Sequence, residues 1–105
     1  ALFSDELIAE RKSISADGIF VLFVPLNKEN KLNGDVLTAT RGFMSVFENE
    51  KIIKEVAQKV TDHINTFGAG NQESLTKAIV EITQEIIQNA FARIPRVFVE
   101  YLVAD

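Results

Sequence analysis

An uninterrupted apolar run at residues 19–24 (IFVLFV) places the strongest constraint on how this 105-residue chain can fold. Alternate residues of a β-strand point to opposite faces of a sheet. Both faces of this strand are apolar, so both need to be covered, and the run alone leaves open which face is turned inward. The two sets of side chains are Phe20, Leu22 and Val24 on one face, and Ile19, Val21 and Phe23 on the other.

A polar connection that contains Gly34 follows at residues 27–34 (NKENKLNG), and a second strand is predicted to start near Asp35. Two strands joined by such a connection indicate a β-hairpin. Gly42 interrupts the second strand, as glycine does at a bulge or at a close backbone approach. We expect the strand to resume after it and to continue through residues 43–47.

Two helices and a third strand are predicted for the rest of the chain. The first helix opens at residues 48–50, the second runs from residues 71–74 to about Ala92, and the strand covers residues 97–103. Apolar residues at spacings of three and four predict the buried side of each helix. The first helix has one stripe, formed by Ile52, Ile53, Val56, Val60, Ile64 and Phe67. The second helix has two adjacent stripes: one is Leu75, Ile79, Ile82, Ile86 and Ala90, and the other is Val80, Ile87, Phe91 and Ile94.

The predicted order ββααβ indicates an α+β fold of two layers, with two helices packed on one face of a three-stranded sheet. The length suits one domain. We expect a linker or short helix at residues 1–14 and a single domain at residues 15–105. Because the chain begins with Ala1 and the hairpin follows almost at once, an excised domain of a larger protein is the favoured interpretation.

Composition narrows the function classes. The chain has no cysteine, which excludes disulfides and thiolate metal sites. Its net charge is −4, with only 11 Lys and Arg residues, whereas nucleic-acid binders usually carry a basic face. Neither a membrane-spanning run nor a signal peptide is evident. We therefore expect a cytoplasmic protein with no membrane partner.

The candidate chemical residues favour structural roles. His63 is the only histidine, so it lacks co-ligands and is predicted to lie at the surface or boundary. Gly68 and Gly70 follow a helix and match no nucleotide fingerprint, which indicates a plain helix–helix connection. The carboxylates near the first helix, Glu48, Glu50 and Glu55, suit capping and solvation. We predict no catalytic, metal-binding or cofactor-binding residue in this chain.

An excess of apolar surface is the strongest functional signal. Two helices cover one sheet face, and each large apolar side chain left in water forfeits about 1.5–3 kcal/mol. Exposed patches of this kind usually mark interaction surfaces. We therefore predict a homo-oligomer formed through the exposed sheet face. The residues predicted for this interface are Phe20, Leu22, Val24, Arg41 and Phe43. A competing cover is the N-terminal segment, whose large apolar residues are Leu2, Phe3, Leu7 and Ile8.

Arg41 has two open interpretations, because it stands in a largely apolar strand beside Gly42. Its side chain could reach solvent or pair with an acid such as Asp35. Alternatively, its guanidinium could bridge to another domain or subunit.

Several segments together resemble the C-terminal domain of ribonuclease J. The set comprises a Ser15-Ala16-Asp17-Gly18-Ile19 start, a Lys/Asn turn with Gly34, a Thr40-Arg41-Gly42-Phe43 element, two helices, and Arg93-Ile94-Pro95-Arg96 before the last strand. The spacing fits over about residues 14–103.

The resemblance implies a parent enzyme that processes RNA by 5′-to-3′ exonucleolytic and endonucleolytic hydrolysis. It implies zinc or another divalent metal in the parent's metallo-β-lactamase domain, since this chain lacks the family's histidine-rich motif. The implied partners of this domain are the parent's catalytic domains and further copies of itself, and RNA is the parent's substrate.

Two alternatives remain open. One is a small RNA-binding module in which Arg93 and Arg96, with Lys28 and Lys31, contact phosphates; steep salt dependence of binding to single-stranded RNA would distinguish it. The other is a ligand-sensing regulatory domain, which rests on fold analogy.

Overall fold

The computed structural model describes residues 18–42 and 46–104. The element order in these ranges is ββααβ, which confirms the predicted α+β fold. The elements are β1 (Ile19–Asn27), β2 (Leu37–Arg41), α1 (Val46–Phe67), α2 (Gln72–Phe91) and β3 (Arg96–Ala104). The predicted linker or short helix over residues 1–14, and the cover that it would provide, lie outside the described residues.

The three strands form one sheet in the order β2-β1-β3. β1 pairs antiparallel with β2, from Ile19 opposite Arg41 to Phe23 opposite Leu37. β1 pairs parallel with β3 along its whole length, from Ile19 opposite Arg96 to Asn27 opposite Ala104. The most apolar strand is therefore the central one, because a strand with neighbours on both sides is the most shielded from water.

The polar connection of the hairpin is held by Asn27. Its Oδ1 accepts hydrogen bonds from the backbone N–H groups of Glu29 (2.9 Å) and Lys31 (3.1 Å). Its own N–H donates to the carbonyl of Lys31 at 2.9 Å. Asn30 takes a left-handed conformation with φ 61°, which asparagine tolerates better than most residues. This network confirms that the segment is a turn and explains its Asn content.

The boundary between β2 and α1 differs from the prediction. β2 ends at Arg41 and α1 begins at Val46, so the expected continuation of the strand through residues 46 and 47 is wrong. β1 begins at Ile19, which pairs with Arg41, so β1 itself offers no further residue to pair with a longer β2. Gly42, with φ 84°, turns the chain out of the sheet at this point.

Both helices pack on the same face of the sheet. The core cluster joins Val56, Val60 and Ile64 of α1 to Leu75, Ile79 and Ile87 of α2, and both sets to one face of β1. The β1 residues of this face are Phe20, Leu22, Val24 and Leu26, all at 0% exposure. The structure thus decides which parity of the apolar run faces inward.

The buried line of α2 runs through Leu75, Ile79, Thr83 and Ile87, at intervals of four residues. This line lies between the two apolar stripes predicted from the sequence, so it includes a threonine that neither stripe contained. Ala90 and Ile94 were assigned to the stripes but are exposed. In α1, Phe67 is 74% exposed, and its ring packs instead on His63, with 5.0 Å between ring centroids.

Candidate interaction surface

Three of the predicted interface residues belong to the core. Phe20, Leu22 and Val24 are fully buried beneath the helices, so none of them has accessible area to offer a partner. The prediction that these three side chains lie on the exposed face of the sheet is therefore wrong. The sequence could not distinguish the two faces, because both sets of alternate residues in the run are equally apolar. Any contact made by β1 must use the other set.

The opposite face of the sheet, here called the outer sheet face, is also mainly apolar. Register pairs place Val21 beside Ala39 and Phe98, and Phe23 beside Leu37 and Glu100. The outer sheet face comprises Ile19, Val21, Phe23 and Pro25 of β1, Leu37, Ala39 and Arg41 of β2, and Arg96, Phe98, Glu100 and Leu102 of β3.

Accessibility is uneven across the outer sheet face. Ile19 and Val21 are each 2% exposed, whereas Leu37 is 60% exposed and Leu102 is 52% exposed. Phe23 is half-buried between them. The accessible apolar surface is therefore concentrated at the end where β1 finishes. We call Phe23, Pro25, Leu37 and Leu102 the outer-face patch.

Arg41 lies at the other end of the outer sheet face, where β1 begins, and it pairs with Ile19. Its side chain is exposed, and the predicted ion pair with Asp35 does not form; among the described residues Arg41 has no ion-pair partner. An exposed guanidinium beside an apolar face is compatible with the bridging interpretation, which stays a prediction. Phe43 lies outside the described residues.

β3 forms an edge of the sheet, and a groove of about 730 Å³ separates it from α2. Val80 of α2 and Val99 and Tyr101 of β3 supply its apolar lining. The phenol of Tyr101 lies 2.8 Å from Thr76 Oγ1 and donates a longer hydrogen bond, 3.4 Å, to the carbonyl of Gln72. Burial raises the pKa of Tyr101 above its ordinary value of 10.0, although the hydrogen bond with Thr76 opposes this shift.

The two candidate RNA-contacting residues flank the start of β3. Arg93 and Arg96 are both exposed. The Arg96 guanidinium lies over the ring of Phe98, 5.6 Å from its centroid, on the outer sheet face. This stacking holds Arg96 against the sheet, and contact with RNA by either arginine stays a prediction.

The other candidate groups do not assemble into a chemical site. His63 is half-buried and packs on Phe67. Asn71 caps α2 by accepting a 2.7 Å hydrogen bond from the Ser74 N–H, which confirms that the glycine-rich segment is a helix–helix connection. Within residues 18–42 and 46–104 no three His, Asp or Glu side chains cluster as metal ligands would. No helix in these ranges is both long and apolar enough to cross a bilayer.

Comparison with known families agrees with this geometry. The family model described as "Ribonuclease J C-terminal domain" matches residues 6–102, which is nearly the whole chain. The chain belongs to the ribonuclease J C-terminal domain family. The match confirms the resemblance read from the ordered motifs, and it makes this chain an accessory domain of ribonuclease J, an RNA-processing enzyme. A search of curated proteins found none that matches the chain.

Two features of this ribonuclease J domain were not singled out from the sequence. One is the position of β3 beside β1 at an edge of the three described strands, because nothing in residues 96–104 reveals whether a strand is central or at an edge. The other is Thr83, which is fully buried in the core. Its position between two apolar stripes on α2 was the available signal, since the middle of a wide apolar face is the part that is buried most deeply.

Proposed function

We propose that this domain is a non-catalytic scaffold of a ribonuclease J, and that it holds the domains or subunits of the enzyme together through its outer sheet face. The observation that supports this role is the outer-face patch. Leu37 and Leu102 keep more than half of their surface accessible, although they flank the most apolar strand of the chain. Burying each against a partner would stabilise the assembly by roughly 1–2 kcal/mol, about half to two-thirds of the value for full burial.

The enzyme that carries this domain would hydrolyse RNA, by 5′-to-3′ exonucleolytic and endonucleolytic cleavage, with a divalent metal such as zinc held in a separate catalytic domain. This part of the proposal rests on the family. The described residues of the present chain supply none of that chemistry. The domain would therefore act on catalysis through assembly, by keeping catalytic domains in a productive arrangement.

The test is the double variant Leu37→Ser/Leu102→Ser in the intact ribonuclease J that contains this domain. Surface substitutions of this kind usually change folding stability by no more than about 0.5 kcal/mol, so the domain should stay folded. We expect weaker subunit or domain association in sedimentation experiments, with a parallel loss of RNA hydrolysis. Phe67→Ser is the matched control, because Phe67 is equally apolar and exposed but lies at the end of α1.

Unchanged assembly and unchanged activity in the Leu37→Ser/Leu102→Ser enzyme would contradict the scaffold role of the outer sheet face. An equal loss in the Phe67→Ser control would contradict it as well. The effect would then follow from the loss of any exposed apolar side chain.

A further inference from the structure

The side of β3 that faces away from β1, here called the β3 edge, presents a regular series of backbone groups. Among the described residues, none pairs with β3 on this side. The N–H of Arg96 donates to the Gly18 carbonyl at 3.0 Å, so Arg96 directs its backbone groups toward β1. Because this direction alternates along the strand, Val97, Val99 and Tyr101 direct their N–H and C=O groups to the β3 edge. Such an edge is able to accept a further strand.

The side chains of the β3 edge border the groove between β3 and α2. Val99 and Tyr101 point to the helix side of the sheet, whereas Phe98 and Glu100 belong to the outer sheet face. Together with Val80 they give the groove, of about 730 Å³, its apolar lining, and all three are only half-buried. A strand added to the β3 edge would direct alternate side chains into this groove. Backbone pairing and side-chain burial therefore become available at the same place.

Hydrogen bonds connect α2 to the β3 region on both sides of the groove. Gln84 Nε2 donates to the Pro95 carbonyl at 3.0 Å, just before β3 begins. Further along the strand, the Tyr101 phenol lies 2.8 Å from Thr76 Oγ1. These contacts set the separation of helix and strand without any partner. A ligand that enters the groove therefore meets a preformed site, which lowers the cost of binding.

Charged side chains of α2 line the rim of the groove at intervals of four residues. Glu73, Lys77 and Glu81 all border it, and all three are exposed. Two carboxylates and one ammonium group leave the rim with a charge of −1, and the whole chain carries −4. The two carboxylates are separated by two intervals of four residues, about 12 Å along a helix. On a β-strand, two side chains four positions apart on the same face are about 13 Å apart, which is a close match.

We propose that the β3 edge binds an extended, basic segment of a partner protein as an additional strand. The central residue of the segment is apolar, lies opposite Val99 and enters the groove. Basic residues two positions before and after it point to the same side and pair with Glu73 and Glu81, while Lys77 lies between them beside the apolar position. The segment runs antiparallel to β3, because antiparallel pairing is the more stable per residue. This contact goes beyond the scaffold role, since it uses the β3 edge and not the outer-face patch.

The probe is a synthetic heptapeptide with blocked ends, Thr-Arg-Thr-Val-Thr-Arg-Thr, added to the 105-residue chain. Binding is followed through the backbone amide resonances of the chain at about 0.1 M salt, where distant charges are screened. We expect saturable binding with a Kd of about 1 mM or lower. The amides of Val97, Val99 and Tyr101 should shift most, because they face the peptide. Those of Phe98 and Glu100 face β1 and should shift less.

Two methylated peptides test the backbone contact. Methylating the valine nitrogen removes the donor that faces Val99 and should abolish the amide shifts. Methylating the nitrogen of the threonine that follows is the matched control. Its N–H points away from β3 in the proposed pairing, so the Kd should stay within about threefold of the unmodified peptide.

Charge exchange tests the preference for a basic segment. Glu73→Lys/Glu81→Lys turns two attractive pairs into repulsive ones and should raise the Kd about tenfold or more. A peptide with glutamate in place of both arginines should bind this variant more tightly than it binds the unmodified chain, which also shows that the variant is folded. Glu85→Lys is the matched control, because Glu85 is an exposed carboxylate of α2 that borders a different pocket, on the side of α1.

Several results would overturn the proposal. These are no binding up to about 1 mM peptide, undiminished binding of the valine-methylated peptide, or a Glu85→Lys effect as large as that of Glu73→Lys/Glu81→Lys. Shifts at Val97 and Val99 that follow the concentration of the chain alone would assign the β3 edge to a second copy, and the proposal would again be wrong. The outer-face variants do not enter these measurements, so the scaffold role is tested separately.

Discussion

Replacing Thr83 with valine should stabilise this domain. Thr83 is 0% exposed, and its Oγ1 has no hydrogen-bond partner among the described residues. Helical threonines commonly satisfy this oxygen with the carbonyl one turn earlier, as Thr61 does by donating to Ala57 O at 2.8 Å. Thr83 lacks this bond and lies in the middle of the buried line of α2. The folded state therefore carries the cost of removing a hydroxyl from water without compensation.

The magnitude follows from the burial of this group. An unsatisfied buried hydroxyl costs about 1–3 kcal/mol, and valine replaces it with a methyl group of similar size. We expect Thr83→Val to raise the free energy of unfolding by about 1–2 kcal/mol. A change of 1 kcal/mol corresponds to about 4–8 °C in Tm for a domain near this size. Thr83→Ser keeps the hydroxyl and removes the buried methyl group, so it should lower stability by about 1 kcal/mol.

Urea and thermal unfolding followed by circular dichroism measure both changes. Thr61→Val is the matched control, because it removes a hydroxyl that is hydrogen-bonded, and it should be neutral or destabilising by about 0.5–1.5 kcal/mol. The reasoning is refuted if Thr83→Val leaves stability unchanged or lowers it, or if Thr61→Val stabilises the domain as strongly. Either result would mean that Thr83 Oγ1 is not the source of a penalty in the folded state.

Two further predictions concern the sheet and its groove. The pKa of Tyr101 is raised in the folded state, so folding favours the neutral phenol. The resulting contribution to the free energy of unfolding is complete below pH 10.0 and is lost as the pH rises through the raised pKa. Tyr101→Phe should therefore flatten the decline of unfolding free energy above pH 10.0, as measured by urea unfolding across that range, and an unchanged slope would count against it. Leu22→Ala should lower stability by about 2–5 kcal/mol, because Leu22 is fully buried in the core. Assembly of the intact ribonuclease J that remains folded should not change, and weaker assembly would place Leu22 in the interface after all.

The candidate surface was predictable in kind but not in position. The run at residues 19–24 is apolar on both faces, and one layer of helices can cover only one of them. Some apolar side chains on the other face are therefore expected to stay accessible, and the outer-face patch consists of such side chains. Its location at Leu37 and Leu102 required the cross-strand register, since these residues lie 65 positions apart in the sequence. Nothing in the local sequence marks Leu37 or Leu102 as exposed, because each is one apolar residue among others in a predicted strand.

Local sequence by itself determined the elements of this domain and their order. Period-two and helical spacings, the Asn27 turn and the Asn71 cap act over a few residues, so they can be read without knowing which segments meet. Tertiary structure alone decided that β3 lies beside β1 and that Phe20, Leu22 and Val24 face the helices. The physical reason is that the run at residues 19–24 is equally apolar on both sides. Its orientation therefore depends on where the two helices dock, and no local pattern in the strand specifies it.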